Sequence, residues 1–360
     1  MIVHVDELLS RLRPLLPELL VDGRALDNIH TAARLLPEVS GGICLECRLE
    51  EGSRRVDFMV CCMASDGGPP ALAEALSKTR ERLRGPHWDG IRAFSQEWVK
   101  PGSVLSRVPI FWLEYDLEGA VSGVPTPFPF VCVQPEFERR VPTSRRASGA
   151  THDEALRIIW RALEVLQGRP VSPAIARTIT RCFEFLPDLA EVAHVAPLAA
   201  RGSEAIRVVI GAPRAELGAF LERIGWPGPR AQIEEIAERW LSHLHLIDLN
   251  LDVGETIGPT VGLGLAMPDE PRGTWAEGVL RRLVEAGLCS PARCDAVLAW
   301  PGSERVILDG HAWPNKLCRT LGVKLVCRPH EPLTAKAYPY YECRFSLWKD
   351  ASVTSKSRLM

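Results

Sequence analysis

The sequence predicts an α+β fold: largely antiparallel sheets with helices on one face, built from a duplicated β-α-α-β-β-α unit. Three observations predict it. Many short segments alternate apolar and polar residues, the period of a strand with two unlike faces. Short turns join most of them, which favours antiparallel neighbours. Two regions of the chain also run through the same patterns in the same order.

The elements follow in chain order. Leu8, Leu9, Leu12, Leu15, Leu16 and Leu19 fit one face of an opening helix, which Asp6, Glu7, Arg11 and Arg13 make too charged for a signal peptide or membrane span. "ICLECRLEEGSRRVDFMVCC" then reads as a hairpin turning at Glu51-Gly52-Ser53. The first repeated unit, roughly 54–167, holds the helix "IRAFSQEW" ending at Trp98 and the strand "FWLEYDL", 111–117. The second, roughly 204–288, holds "IEEIAERW" ending at Trp240 and the strand "LIDLNLD". Both helices share Ile-x-x-(Phe/Ile)-x-x-x-Trp, the spacing of one helix face. The polar positions of the strands fall in register: Glu114 with Asp248, Asp116 with Asn250, Glu118 with Asp252. Phe111, Leu113, Tyr115 and Leu117, on the other face, belong to the core. A last hairpin, "VKLVCRPHEPLTAKAYPYYECRF", turns between Pro329 and Pro332. The domain reading is therefore a first unit with N-terminal helices and hairpin at 1–150, a helical connection at 151–203, a second unit with C-terminal hairpin at 204–348, and a loose tail at 349–360.

Composition narrows the function. The 360 residues carry a net charge of −2 with 46% hydrophobic content, as a packed globular chain does. Arg139-Arg140 and Arg145-Arg146 are too short as basic runs to suggest nucleic acid or a membrane surface. Eleven cysteines without an export signal read as free thiols in the cytoplasm. Cys44 and Cys47 have C-x-x-C spacing, but a strand sends positions three apart to opposite faces, so they read as small buried hydrophobes and no metal or cofactor is expected. His243 and His245 flank Leu244 and read as hydrogen-bonded imidazoles on the core side of the second acidic strand. Neither a nucleophile elbow nor a glycine-rich phosphate loop is present; Gly262 and Gly264 of "GLGLAM" sit inside a strand.

Two constellations remain. Glu114 and Asp116 lie about 7 Å apart along one strand face. Exposed, they repel by only about 0.6 kcal/mol; sheltered, they need a cation or a retained proton. With Asp248 and Asp252 they form either a negative groove or a solvated face. The second set is basic and phenolic: Lys324 and Arg328 on one strand, Lys336, Tyr338 and Tyr340 on the next. These donors suit a phosphate, a diphosphate or a peptide carboxylate, or a structural lattice with the acids.

The strand "AKAYPYY", with Lys336, Tyr338 and Tyr340, resembles the Lys-x-Tyr strand motif of ABBA-type prenyltransferases. That resemblance implies a barrel of repeated helix–strand–strand–helix units that shields a prenyl diphosphate and prenylates an aromatic or peptide acceptor. The set "WLEYDL", "LIDLNLDVGETIGPTVGL" and "KLVCRPHEPLTAKAYP" resembles the peptide-binding accessory proteins of ribosomal-peptide pathways of the crocagin, pyrroloindoline-forming type. This second resemblance implies a precursor peptide as ligand, a tailoring enzyme such as an oxygenase as partner, and no fixed catalytic set; it leaves a homodimer open. The sequence reading favours this one. A peptide lies in a groove or along a sheet edge, Glu114, Asp116, Asp248 and Asp252 take a cationic group, and Lys324, Arg328 and Lys336 take a carboxylate. Any proton transfer falls to Glu114 or Asp248. A stand-alone hydrolase using the paired acids is the remaining alternative.

Overall fold

A computed structural model of the chain describes residues 5–37, 41–117, 123–133, 149–308 and 314–344. Glu118, most of the arginine-containing linker and the C-terminal tail lie outside these residues. The strands are β1 (Gly42–Arg48), β2 (Val56–Met63), β3 (Ile110–Tyr115), β4 (Phe128–Cys132), β5 (Glu191–Pro197), β6 (Ile206–Pro213), β7 (Leu246–Val253), β8 (Ile257–Ala266), β9 (Gly302–Val306), β10 (Asn315–Cys327) and β11 (Thr334–Arg344). The helices are α1 (Val5–Leu12), α2 (Gly23–Leu35), α3 (Gly68–Lys78), α4 (Pro86–Trp98), α5 (Gly149–Gln167), α6 (Pro173–Glu184), α7 (Leu217–Ile224), α8 (Arg230–Leu241), α9 (Trp275–Glu285) and α10 (Pro291–Ala299).

The expected antiparallel strands form, and they close on themselves. β1 to β8 pair in sequence order, β8 pairs with β10, β10 with β11, and β11 with β1. Every one of these pairs is antiparallel. β9 lies outside the ring, against the first residues of β10. Both expected hairpins are present: β1–β2 turns through Gly52 at φ 77°, and β10–β11 turns with His330 at φ 64°. A closed ring removes its edges, so the edge-strand mode of peptide addition has no place on the ten strands that form it.

Strand pairs alternate with helix pairs all the way round: β1–β2, α3–α4, β3–β4, α5–α6, β5–β6, α7–α8, β7–β8, α9–α10 and finally β10–β11. The β-α-α-β-β-α order read from the sequence is present from β2 to α5 and from β6 to α9, as two windows on this longer alternation. The segment read as a helical connection also holds β5, which shares the barrel wall with strands of both halves. The helix expected to start at Thr151 begins at Gly149.

The core lies between the barrel and its helices. Phe111, Leu113 and Tyr115 of β3 point outward and are buried, with Phe111 stacked on Phe94 of α4 at 4.4 Å between ring centroids. α4 presents Ile91, Phe94 and Trp98 to this layer, and the Trp98 indole donates to the Val108 carbonyl at 2.8 Å. α4 also crosses α5 closely: a Cβ on Gly90 would lie 2.1 Å from the Leu166 carbonyl oxygen. The inward face is different. Along β6, Ile206, Val208 and Ile210 are buried outward, while Arg207, Val209 and Gly211 are half-buried inward. β10 alternates likewise, with Lys324 and Val326 half-buried. Residues that face the barrel axis yet keep accessible surface line a lumen that solvent reaches. A ring of ten strands is wider than the eight-stranded barrels that enclose one small ligand.

Candidate functional site

Polar residues from most of the wall converge on the lumen. Cross-strand register places Lys324 opposite Lys336, Glu46 opposite Asp57, and Arg48 opposite Lys336. Glu46 is 7% exposed and is the hub. It accepts from the Lys336 ammonium at 2.9 Å, from Arg48 at 2.5 Å, and from the Tyr338 hydroxyl. Burial alone would raise its proton affinity, but Lys336, Lys324, Arg48 and Tyr338 together hold Glu46 well below the usual carboxylate range. Asp57, 1% exposed, receives Arg48 at 3.0 Å, Arg55 at 3.2 Å and the Leu117 amide at 3.2 Å. Its proton affinity is raised by burial and by Glu46, against Arg55 and Arg48.

Glu114 sits one strand further round. It is 7% exposed and lies opposite Met59 on β2 and Phe128 on β4. Its hydrogen-bond partner is Arg201, from the turn between β5 and β6, at 2.9 Å. The same guanidinium grips Asp116 through two bonds, at 2.9 and 2.8 Å, and lies 4.0 Å from the centroid of the Phe128 ring. Burial and Glu46 raise the proton affinity of Glu114 above the ordinary range, against Arg201, Lys324 and Arg207. Asp252 is held by Arg207 through two bonds, at 2.7 and 2.9 Å. Asp248 is half-buried on the lumen face beside Gly211 and Gly264.

Lys324 differs from these. Its ammonium lies 4.6 Å from the centroid of the Tyr338 ring. Among the described residues it has no hydrogen bond or ion pair, so it faces the lumen as an uncommitted cation. Burial lowers its proton affinity, partly offset by Glu46 and Glu114. Gly262 makes room for it: a Cβ there would sit 3.1 Å from the Lys324 Cδ and 3.1 Å from the Asn250 Cβ. The glycines of "GLGLAM" thus serve the lumen. An aromatic wall continues from Tyr338 through Tyr340 to Trp112, whose rings meet edge to face at 6.1 Å, with Met59 and Cys44 alongside.

The structure therefore brings together Glu114, Asp116, Asp252, Lys324, Lys336, Tyr338 and Tyr340 around one lumen, with Asp248 on its wall. It separates Arg328, which is exposed beyond the end of β10 and bonds Thr260 at 2.9 Å and Glu331 at 3.1 Å. The charges acting most on Glu114 come from Glu46, Arg201, Lys324 and Arg207, and its hydrogen bond goes to Arg201. His243 and His245 are exposed, not core-facing, because they precede β7 on the outer rim. Cys44 faces the lumen and Cys47 the helices, and all eleven cysteines are buried thiols.

Sequence reasoning missed Glu46, Arg48 and Asp57, although "ECR" and "VDF" carry the same alternation that flagged Glu114. It also missed Arg201 and Arg207; nothing in a turn arginine's local pattern tells that it reaches back into a barrel.

No family model and no curated protein matches the chain. Among solved structures, it is similar to the prenyltransferase PriB in its apo form, at 15% identity and a TM-score of 0.49, over 93% of this chain and 94% of that one. None of the described helices is long and apolar enough to cross a membrane.

Proposed function

We propose that the barrel lumen is an enzyme site for group transfer, taking a prenyl diphosphate and an aromatic or peptide acceptor. One observation carries this reading: among the described residues, Lys324 is an enclosed cation without a carboxylate partner, facing the lumen beside an aromatic wall. Lys324 takes the diphosphate, with Tyr338 and Tyr340 against the prenyl chain. Breaking the allylic C–O bond releases diphosphate and leaves an allylic cation, which aromatic faces stabilise and from which they exclude water. The acceptor carbon attacks, a C–C bond forms, and the displaced proton passes to Glu114. The helix–strand–strand–helix order around the ring accords with the barrel that the Lys336–Tyr338–Tyr340 resemblance implies.

The test is incubation with dimethylallyl diphosphate and either tryptophan or tryptophan-containing peptides, following released diphosphate and acceptor mass. The expected result is a prenyl mass gain that falls in Glu114→Gln while diphosphate still binds.

A second reading has its own support. Acids and bases balance along the lumen, and every named cation except Lys324 already meets an acid, which suits a zwitterionic peptide segment better than a highly charged anion. In this reading the protein holds a precursor peptide, in the cytoplasm, for a tailoring oxygenase or another partner. Peptide binding with neither diphosphate binding nor turnover would select it over prenyl transfer. Turnover of a peptide with no diphosphate present would instead select the hydrolase.

A further inference from the structure

The turn between β5 and β6 sends Arg201 back across the lumen mouth. The turn is a short 3-10 segment, Ala199–Arg201, closed by Gly202 in the left-handed region at φ 69°. The segment joins β5 to β6, and Arg201 is the side chain through which it meets Glu114. Glu114 is otherwise framed by β1, which offers Glu46 and Cys44, by β2 and β4, which offer Met59 and Phe128, by β6 with Arg207, by β10 with Lys324, and by β11 with Tyr338. Among the described residues, Arg201 is the cation with a hydrogen bond to Glu114. Arg207 is committed to Asp252, and Lys324 acts from a greater distance.

Asp116 and the Phe128 ring hold the guanidinium in place. A carboxylate this enclosed, with Glu46 nearby and no direct cation, takes up a proton instead of standing charged. We propose that Arg201 is a positioning residue for Glu114: its hydrogen bond holds the carboxylate in place and favours the ionised form, the form that accepts a proton. This rests on the reading of Glu114 as the acid–base group. Held by Arg201, Glu114 can take the acceptor's proton.

The protein alone suffices for the test. The infrared carbonyl band of protonated Glu114, assigned by its loss in Glu114→Gln, is followed against pH in the wild type, Arg201→Ala, Arg201→Gln and Arg201→Lys. Removing Arg201 should raise the band's midpoint by about one pH unit or more, a tenfold gain in proton affinity, and Arg201→Lys should restore most of the wild-type value. Circular dichroism identifies the folded variants, and Arg201→Gln, closest in shape, decides the outcome should Arg201→Ala unfold. A midpoint unmoved in the folded variants overturns the inference. Because this readout needs no ligand, an unmoved midpoint beside normal prenyl transfer sinks this inference alone, and a moved midpoint without turnover sinks only the reading of the function.

Discussion

Lys324 and Lys336 face each other directly across the β10–β11 pair, but among the described residues only Lys336 has an acid, with its ammonium 2.9 Å from Glu46. The Lys324 ammonium stands over the Tyr338 ring instead. Two ammonium groups at one level of the lumen repel, and Glu46, bonded to Lys336, does not neutralise both. This asymmetry makes Lys324 the group that gains most from an incoming anion.

Replacing Lys324 with Met should separate binding from stability. The variant should bind anions at least about tenfold more weakly, the loss of one charge-assisted contact. Its thermal stability should stay level or rise, because an enclosed unpaired cation is removed and its apolar stem kept. Calorimetric titration and a melting curve read the two effects.

The pH dependence of stability follows from the same group. Burial depresses the Lys324 proton affinity in the folded state, so between that lowered value and the ordinary lysine range the unfolded chain binds more protons. Stability therefore rises with pH through that window in the wild type, and should not do so in Lys324→Met. Denaturant titrations at a series of alkaline pH values, compared between the two proteins, check the sign.

Glu46 gives a slope of the same sign, in the acid range. Its proton affinity is held down by Lys336, Lys324, Arg48 and Tyr338 despite burial, so its contribution is present above the ordinary carboxylate range and is lost as pH falls below it. Glu46→Gln leaves Lys336 and Arg48 without their shared partner, and should destabilise by about 3 kcal/mol or more, as breaking a buried ion pair does. Urea unfolding at neutral pH measures it, and the gap between variant and wild type should narrow in acid.

Outside the lumen, Gly90→Ala should show how closely α4 meets α5. The added methyl would stand 2.1 Å from a backbone oxygen that cannot rotate away. A cost of about 3 kcal/mol is expected, at the upper end for overpacking. A variant as stable as the wild type would show that the two helices separate freely.

Much of this was legible in the sequence, and the limits have physical causes. The alternation of "FWLEYDL" sorted Phe111, Leu113 and Tyr115 from Glu114 correctly, because a strand's period is local. It could not tell that the polar side was the inside. In an ordinary half-buried sheet the polar face meets water, but here helices cover the apolar face and the ring encloses the other. Closure depends on the pairing of Gly42 with Glu342, three hundred residues apart, which no local pattern encodes. Arg201 was invisible for a related reason: its contacts with Glu114 and Asp116 exist only once β3, β4 and the β5–β6 turn stand side by side. Arg328 misled because its four-residue spacing from Lys324 continues the inward parity, although the strand ends at Cys327.

The most direct test of the lumen as an anion-accepting chamber is calorimetric titration of inorganic diphosphate into the wild type, Lys324→Met and Arg328→Ala. Saturable binding to the wild type is expected, with a loss of at least about tenfold in affinity in Lys324→Met and an unchanged affinity in Arg328→Ala. Equal binding in the wild type and Lys324→Met, or a loss confined to Arg328→Ala, would contradict it.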